Sequence, residues 1–281
     1  MSAGRSVTVE TIIQVVRDAS RGIIRDFSEI EYLRNSAKGA EKFSLASESR
    51  AASNIQKSLA KIRPAYGCHC YTTKGGDTQK GTDPLRNWIV HVIDGVENFF
   101  CAVPHFCTAI ALEQKGEITR AVVYDPIRNE LFTSEKGQGA WLNNRRMRVS
   151  HQKLLHRSVI AVDSFSEVNA VVPKVTQSCS KVRCYGSSLL DFVYVSSGRF
   201  DACFSRCKIP HDIGEFFIKE SGGRTVFMPS PPPLHIIDVD HSADTSEKEV
   251  PLLCAFNSEI FAHDPIFSVS SPTLSIQDTS H

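Results

Sequence analysis

The residues of this chain that could do chemistry concentrate in one short stretch, Trp88 to Phe99. It is typical of a buried strand that runs directly into a turn carrying the carboxylate of Asp94, followed by Gly95. His91 adds an imidazole to the same strand. Carboxylates suit hard cations such as Mg²⁺, whereas imidazoles suit transition ions. Asp-Gly is also a strong turn sequence, so Asp94 has a purely structural alternative.

The stretch resembles the metal-binding signature of the inositol monophosphatase family, W-[IV]-[IV]-D-P-[IL]-D-G-T-x-N-[FY]. Further matches to the family's motifs follow in the family's order, at Tyr124 to Phe132, Gly137 to Asn143, Gly186 to Ala202 and Pro210 to Gly223. Together the matches cover roughly residues 10 to 257. The ordered set is specific, and it implies an α/β fold, the family's five-layer αβαβα sandwich with a six-stranded and a smaller sheet. The two halves of that fold share one cleft.

The resemblance implies metal-dependent hydrolysis of phosphate monoesters of small polyols or sugars. In such enzymes the cations neutralise phosphate charge, activate a water and stabilise the departing alkoxide. By the match of motifs, the inherited metal ligands are Asp94 and Asp212, and the substrate-binding residues are Gly95, Gly186, Ser187 and Ser188. Helix capping is the structural alternative for Asp212, and close helix packing is the alternative for Gly186 to Ser188.

Several positions depart from the family pattern. His91 stands where the family has an aspartate, and Val96 stands where it has the threonine that orients the attacking water. The family's glutamate ligand aligns most closely with His69, within a residue or two. Because each such group contributes roughly 10²–10⁴-fold to catalysis, impaired catalysis or a pseudoenzyme is expected, with weak or absent Mg²⁺ binding.

Two alternatives stay open. The first is a transition-metal site, because imidazoles, a thiol and carboxylates in one cleft would suit Zn²⁺. The residues of such a site would be His69, Cys70, His91, Asp94, His211 and Asp212. The second is a non-catalytic regulatory or interaction protein, because one bacterial branch of the family works with the transcription-termination machinery. The resemblance also implies a homodimer, with a phosphorylated metabolite as ligand if the site is active.

Composition is that of an ordinary globular protein. The chain has 281 residues, of which 41% are hydrophobic and 22% charged, and a net charge of +1. That balance gives no reason to expect binding to nucleic acid or to an acidic membrane, although Arg145, Arg146 and Arg148 form a local basic group. No apolar run reaches the ~20 residues of a membrane-spanning helix. Without a signal-like N-terminus, the nine cysteines favour reduced thiols in the cytoplasm.

A single domain over residues 1–281 is expected, with halves of about 1–150 and 151–260 and a tail at about 268–281. Helices are expected at about 9–33, around 52–62 with Ser47 or Ser49 as its cap, and at 165–178, 187–197 and 212–221. Residues 66–87 and 229–250 are expected to be loops. Strands are expected at about 88–93, 106–113, 119–124, 130–134, 158–162, 182–184, 201–204, 225–227 and 252–256.

Overall fold

A computed structural model describes residues 5–33, 37–162, 181–205, 211–228 and 252–257. The helices are α1 (Val7–Leu33), α2 (Ala37–Ile62), α3 (Val96–Phe100), α4 (Ser188–Ser196) and α5 (His211–Glu220). The strands are β1 (Tyr66–Thr72), β2 (Gly75–Gln79), β3 (Asp83–Asp94), β4 (Cys107–Gln114), β5 (Glu117–Asp125), β6 (Glu130–Glu135), β7 (Gly139–Leu142), β8 (Arg145–Arg146), β9 (Val159–Val162), β10 (Lys181–Arg183), β11 (Ala202–Ser205), β12 (Arg224–Met228) and β13 (Leu252–Phe256).

The first layer is the helix pair α1 and α2. Apolar residues of α1 recur at helical spacing, and Ile12, Val16, Ile23 and Ile30 are almost completely buried. The two helices are also joined by the buried Asp26, which accepts hydrogen bonds from Ser47 of α2 at 2.7 Å and from Arg50 at 2.7 Å. A buried carboxylate is stable only when it is paired in this way.

The second layer is an eight-stranded sheet in the order β2-β1-β3-β4-β5-β6-β7-β8. Strands β1 and β3 are parallel, and the other neighbours are antiparallel. The expected six-stranded sheet was therefore too small, and the loop expected at 66–87 was wrong. That segment instead forms β1, β2 and the start of β3, because backbone pairing at the sheet edge overrides a Gly- and Thr-rich composition.

Behind this sheet lie α4 and α5, and behind them a second sheet in the order β10-β9-β11-β13-β12. One buried cluster joins the layers, with Ala109 of the first sheet, Phe192 of α4, Phe217 of α5 and Cys203 of the second sheet as members. The predicted α/β sandwich is thereby confirmed. The helix expected at 165–178, the loop at 229–250 and the tail from about 268 lie outside the described residues.

Most of the other predicted elements are confirmed within a few residues, including the long first helix and the strands from β3 to β6. The cap predicted at Ser47 or Ser49 was wrong. Helix α2 begins ten residues earlier, at Ala37, so both serines lie inside it; Ser47 binds Asp26, and the hydroxyl of Ser49 donates to the Leu45 carbonyl. In the described part of the chain, no helix has the length and apolarity needed to cross a membrane.

Candidate functional site

An irregularity near the end of β3 brings His91 and Asp94 to one face of the sheet. His91 lies opposite Ala109 of β4 and Asp94 lies opposite Cys107, with a shift of register between the two pairs. Directly opposed residues share a face of a sheet, and residues two apart on one strand also do. The extra residue on β3 therefore lets two side chains three positions apart point toward the layer of α4 and α5.

Asp94 is tied into the second half of the chain. Its Oδ1 accepts hydrogen bonds from the hydroxyl of Ser187 and from the backbone N–H of Leu189, the latter at 3.1 Å. The thiol of Cys107 lies 4.0 Å from the same oxygen. Leu189 is in the first turn of α4, where backbone N–H groups lack partners within the helix. Asp94 thus caps α4 from a distant strand.

Gly95 makes the turn after Asp94 with a left-handed backbone, at a φ of 86°. A Cβ atom here would lie 2.9 Å from the carbonyl oxygen of His105 and 3.2 Å from the Cβ of Ser187. Only glycine fits both the conformation and the space. The turn that the sequence predicted from Asp-Gly is therefore a point of close approach between the two halves.

His91 is held as a neutral aromatic ring. Its side chain is only 6% exposed, and it stacks on Tyr71 of β1 with ring centroids 4.9 Å apart and planes 15° apart. Burial lowers the pKa of His91 to about 3. Among the described residues, Nε2 of His91 has no hydrogen-bond partner. The imidazole is consequently uncharged at neutral pH and is positioned by stacking.

Asp212 reaches the same neighbourhood from α5. It is exposed and lies in the first turn of that helix. The pKa of the Tyr71 phenol is raised, first by burial and then by the negative charges of Asp212 and Glu113. Tyr71 therefore has a stacked imidazole on one side and carboxylates near its hydroxyl.

His69, a member of the transition-metal alternative, and Val96, at the position of the family threonine, make other contacts. His69 lies opposite Ile89, two positions before Tyr71 on β1, and its Nδ1 is 3.1 Å from the hydroxyl of Thr78. Val96 begins the five-residue α3 and packs partly buried against the cluster beneath α1 and α2. Within the described ranges, no three His, Cys, Asp or Glu side chains converge in a manner suited to a metal ion.

The expected substrate-binding segment forms the junction between the halves. Gly186 has a φ of 73°, and its carbonyl, like that of Tyr185, accepts a hydrogen bond from the side-chain amide of Asn98, at 3.5 and 2.6 Å respectively. Ser187 is buried and donates to Asp94, and Ser188 is the buried first residue of α4. All three therefore serve packing and capping in this structure.

Sequence reasoning missed Tyr71 and the role of Glu48. Glu48 is 1% exposed, and both of its oxygens accept the backbone N–H of Thr73, at 3.0 and 3.1 Å. That contact fixes the turn after β1, and with it the position of Tyr71. Cys68 and Cys70 are buried on the face opposite to His69 and Tyr71, and this alternation was the available signal.

Comparison with known proteins identifies the relatives of this arrangement. A sequence model of the inositol monophosphatase family matches residues 6–249. The inositol-1-monophosphatase of Rhizobium meliloti is 36% identical over 228 residues, which cover 78% of this chain and 85% of that protein. The Nus factor SuhB of Escherichia coli K12 is 34% identical over 221 residues, covering 75% and 81%.

Solved structures agree with these sequences. The extragenic suppressor protein SuhB of Bartonella henselae superposes with a TM-score of 0.74 at 28% identity, covering 91% of this chain and 96% of that one. The inositol monophosphatase of Anabaena has the same fold, with a TM-score of 0.70 at 22% identity over 92% and 93% of the two chains. Because the family model spans most of the sequence and the relatives are 34–36% identical, the chain belongs to the inositol monophosphatase family.

Proposed function

We propose that this protein is an inositol monophosphatase-family member whose site no longer supports the family's magnesium-dependent hydrolysis of small phosphorylated polyols and sugars. The observation that carries the proposal is the buried, uncharged His91 stacked on Tyr71, at the position where the family's signature has an acidic ligand. Family membership supports a phosphatase ancestry, and the changed residues support a loss of rate.

The donor set does not fit Mg²⁺. This ion takes hard oxygen ligands and depends strongly on their negative charge. A neutral imidazole at residue 91 supplies neither an oxygen ligand nor a negative charge. The stacked phenol of Tyr71 occupies the space beside it. Asp94 and Asp212 are the retained carboxylates that would hold a cation, and Oδ1 of Asp94 already accepts bonds from Ser187 and Leu189.

The remaining catalytic position is also altered. Val96 has no hydroxyl with which to orient an attacking water, and it packs against apolar neighbours. Since an orienting or charge-stabilising group contributes roughly 10²–10⁴-fold, losing two such groups would lower turnover by several orders of magnitude. The chain's own residues therefore position the two halves, and residue 96 supplies no hydroxyl that could orient a water.

Phosphate release from inositol 1-phosphate tests this proposal, with Mg²⁺, Mn²⁺ and Zn²⁺ supplied in separate assays. Asp94→Asn is the matched background variant, since the amide oxygen of asparagine can still accept the bonds that hold α4. We expect the wild type to stay within about twofold of that background with every ion. Magnesium-dependent release well above it would refute impaired catalysis, and release with Zn²⁺ alone would establish the transition-metal alternative.

A second candidate function, protein interaction, is favoured by the relatives named Nus factor SuhB, of which this chain covers 81%. We propose that the retained scaffold acts by binding a protein partner, with a phosphorylated metabolite as ligand only if the site is active. Affinity purification under native conditions tests this. Recovery of the protein alone, without a stoichiometric partner, would contradict an interaction role.

We also propose, from the family resemblance, that the chain forms one domain, assembles as a homodimer and works in the cytoplasm. The close junction at Gly95 and Gly186 supports the two halves acting as one unit. Sedimentation analysis of the full chain distinguishes monomer from dimer, and a single cooperative unfolding transition is expected if the halves are one domain.

A further inference from the structure

A strip of positive charge runs along the connection between the two sheets. Residues 136–162 contain six lysines and arginines and no aspartate or glutamate. We define the basic strip as four exposed arginines of this run, Arg145, Arg146, Arg148 and Arg157, with the exposed Leu154 between the last two in sequence. Leu154 is 45% exposed, which places an apolar side chain between positive ones.

The backbone fixes these side chains outward. Met147 and Val149 are buried at 3% and 7% exposure, whereas Arg145, Arg146 and Arg148 are exposed. Leu155 is buried at 6% and anchors the 3₁₀ turn that ends at Arg157. The charges therefore lie on an ordered segment. Such a segment loses less conformational entropy than a flexible one when a partner binds.

The arginines of the strip lack acidic partners in the described part of the chain. No ion pair there involves Arg145, Arg146, Arg148 or Arg157. The guanidinium of Arg146 lies over the ring of Trp141 at 5.9 Å, and Arg148 donates to the carbonyl of Met147 at 3.3 Å.

Two nearby carboxylates are occupied by other groups. Glu220 accepts the backbone N–H groups of Gly137 and Gly139, each within 3.1 Å. Asp201 accepts the hydroxyl of Ser150 and the N–H of Val159, the latter at 2.7 Å. Among the described residues, neither forms an ion pair with the strip arginines, and these arginines can therefore pair with an external acidic group.

We propose that the basic strip is a docking surface for an acidic protein segment that carries an apolar residue. Guanidinium groups pair with carboxylates in a bidentate geometry, and arginine and tryptophan are enriched among residues that dominate binding energy. Leu154 supplies an apolar contact that a nucleic-acid backbone would not use. The net charge of +1 also lacks the overall basic character typical of nucleic-acid-binding domains. This inference does not depend on the activity of the cleft.

Fluorescence anisotropy with the full-length protein at low ionic strength tests the docking surface. The probes are a labelled peptide in which aspartate alternates with leucine, a second in which aspartate alternates with serine, and a single-stranded oligouridylate of equal charge. The strip variant is the triple substitution Arg145→Gln, Arg146→Gln and Arg148→Gln. The matched control removes three exposed positive charges from the end of α2, as Lys57→Gln, Lys61→Gln and Arg63→Gln.

We expect the strip variant to bind the aspartate–leucine peptide about tenfold more weakly, and the control variant to stay within about twofold of wild type. The wild type should prefer the leucine peptide over the serine peptide by at least about threefold, and Leu154→Ser should remove that preference.

Equal weakening by the strip and control variants would overturn the proposal, as would no binding by wild type. Tighter binding of oligouridylate than of either peptide would overturn it in favour of nucleic acid. Matching thermal unfolding midpoints exclude misfolding of a variant.

Discussion

At the scale of single residues, our proposal of altered chemistry in the cleft rests on His91. Its ring is buried, stacked on Tyr71 and neutral, whereas an acidic ligand in its place would carry charge toward a cation. The exchange alters both the charge and the shape of the site. Because Tyr71 and His91 lie directly opposite each other on neighbouring strands, the register of β1 with β3 places the two rings side by side.

The buried imidazole should make folding sensitive to mild acid. The pKa of His91 is about 3 in the folded chain, because burial disfavours the charged ring, and near 6.5 when unfolded. As the pH falls below about 6.5, the unfolded chain binds the proton first, so His91's contribution to stability is complete above that pH and is lost toward pH 3. At pH 5 the loss is about 2 kcal/mol.

Denaturant unfolding at pH 7 and pH 5 checks this expectation. In His91→Phe, which keeps an aromatic ring beside Tyr71, the drop in unfolding free energy between the two pH values should be smaller by about 2 kcal/mol. His105, whose pKa is lowered to about 4 by burial and then by Arg128, remains in both proteins and cancels from the comparison. An identical drop in both proteins would show that His91 is accessible to protons.

The two retained carboxylates should differ in their importance for stability. Asp94 accepts bonds from Ser187 and from Leu189 at the start of α4, so Asp94→Ala should lower the free energy of unfolding by about 1–3 kcal/mol. Asp212 is exposed, and Asp212→Ala should cost less than about 1 kcal/mol. Equal effects in chemical denaturation would contradict the capping role of Asp94.

At the scale of elements, the β1–β2 hairpin positions Tyr71, and Glu48 holds the hairpin. Both oxygens of this buried carboxylate accept the N–H of Thr73, so Glu48→Ala leaves that amide unpaired. Hydrogen exchange at Thr73 and its neighbours should accelerate at least about tenfold in Glu48→Ala, and change little in Glu48→Gln, which keeps an acceptor. Unchanged exchange in the alanine variant would mean that strand pairing alone fixes the turn.

Elements with strong periodicity could be predicted from the sequence, and those set by distant pairing could not. The spacing of Ile12, Val16 and Ile23 predicted α1, which the structure confirms. The exposed residues of β2 carry no apolar alternation, so its pairing with β1 had no local signal. Likewise, His91 and Asp94 could be singled out by motif, but Tyr71 could not, because its position depends on the long-range register between β1 and β3.

At the scale of the whole molecule, the scaffold is intact where the site is altered. The junction through Asp94, Gly95, Asn98 and Gly186 joins the two halves, whereas we propose that the residues for hydrolysis have changed. These residues therefore stabilise the fold through helix capping and close packing, whether or not the protein turns over a substrate. A retained fold, the cleft that we propose is altered, and a basic strip whose arginines form no ion pair among the described residues are consistent with a protein that works by binding.

Calorimetric titration of Mg²⁺ into the full-length protein, in the presence of inositol 1-phosphate, bears most directly on the altered cleft. Because residue 91 contributes a buried neutral ring where a hard anionic ligand is needed, we expect no saturable Mg²⁺ binding up to millimolar concentrations and no release of phosphate. Saturable binding of two Mg²⁺ ions, accompanied by rapid magnesium-dependent phosphate release, would contradict the account.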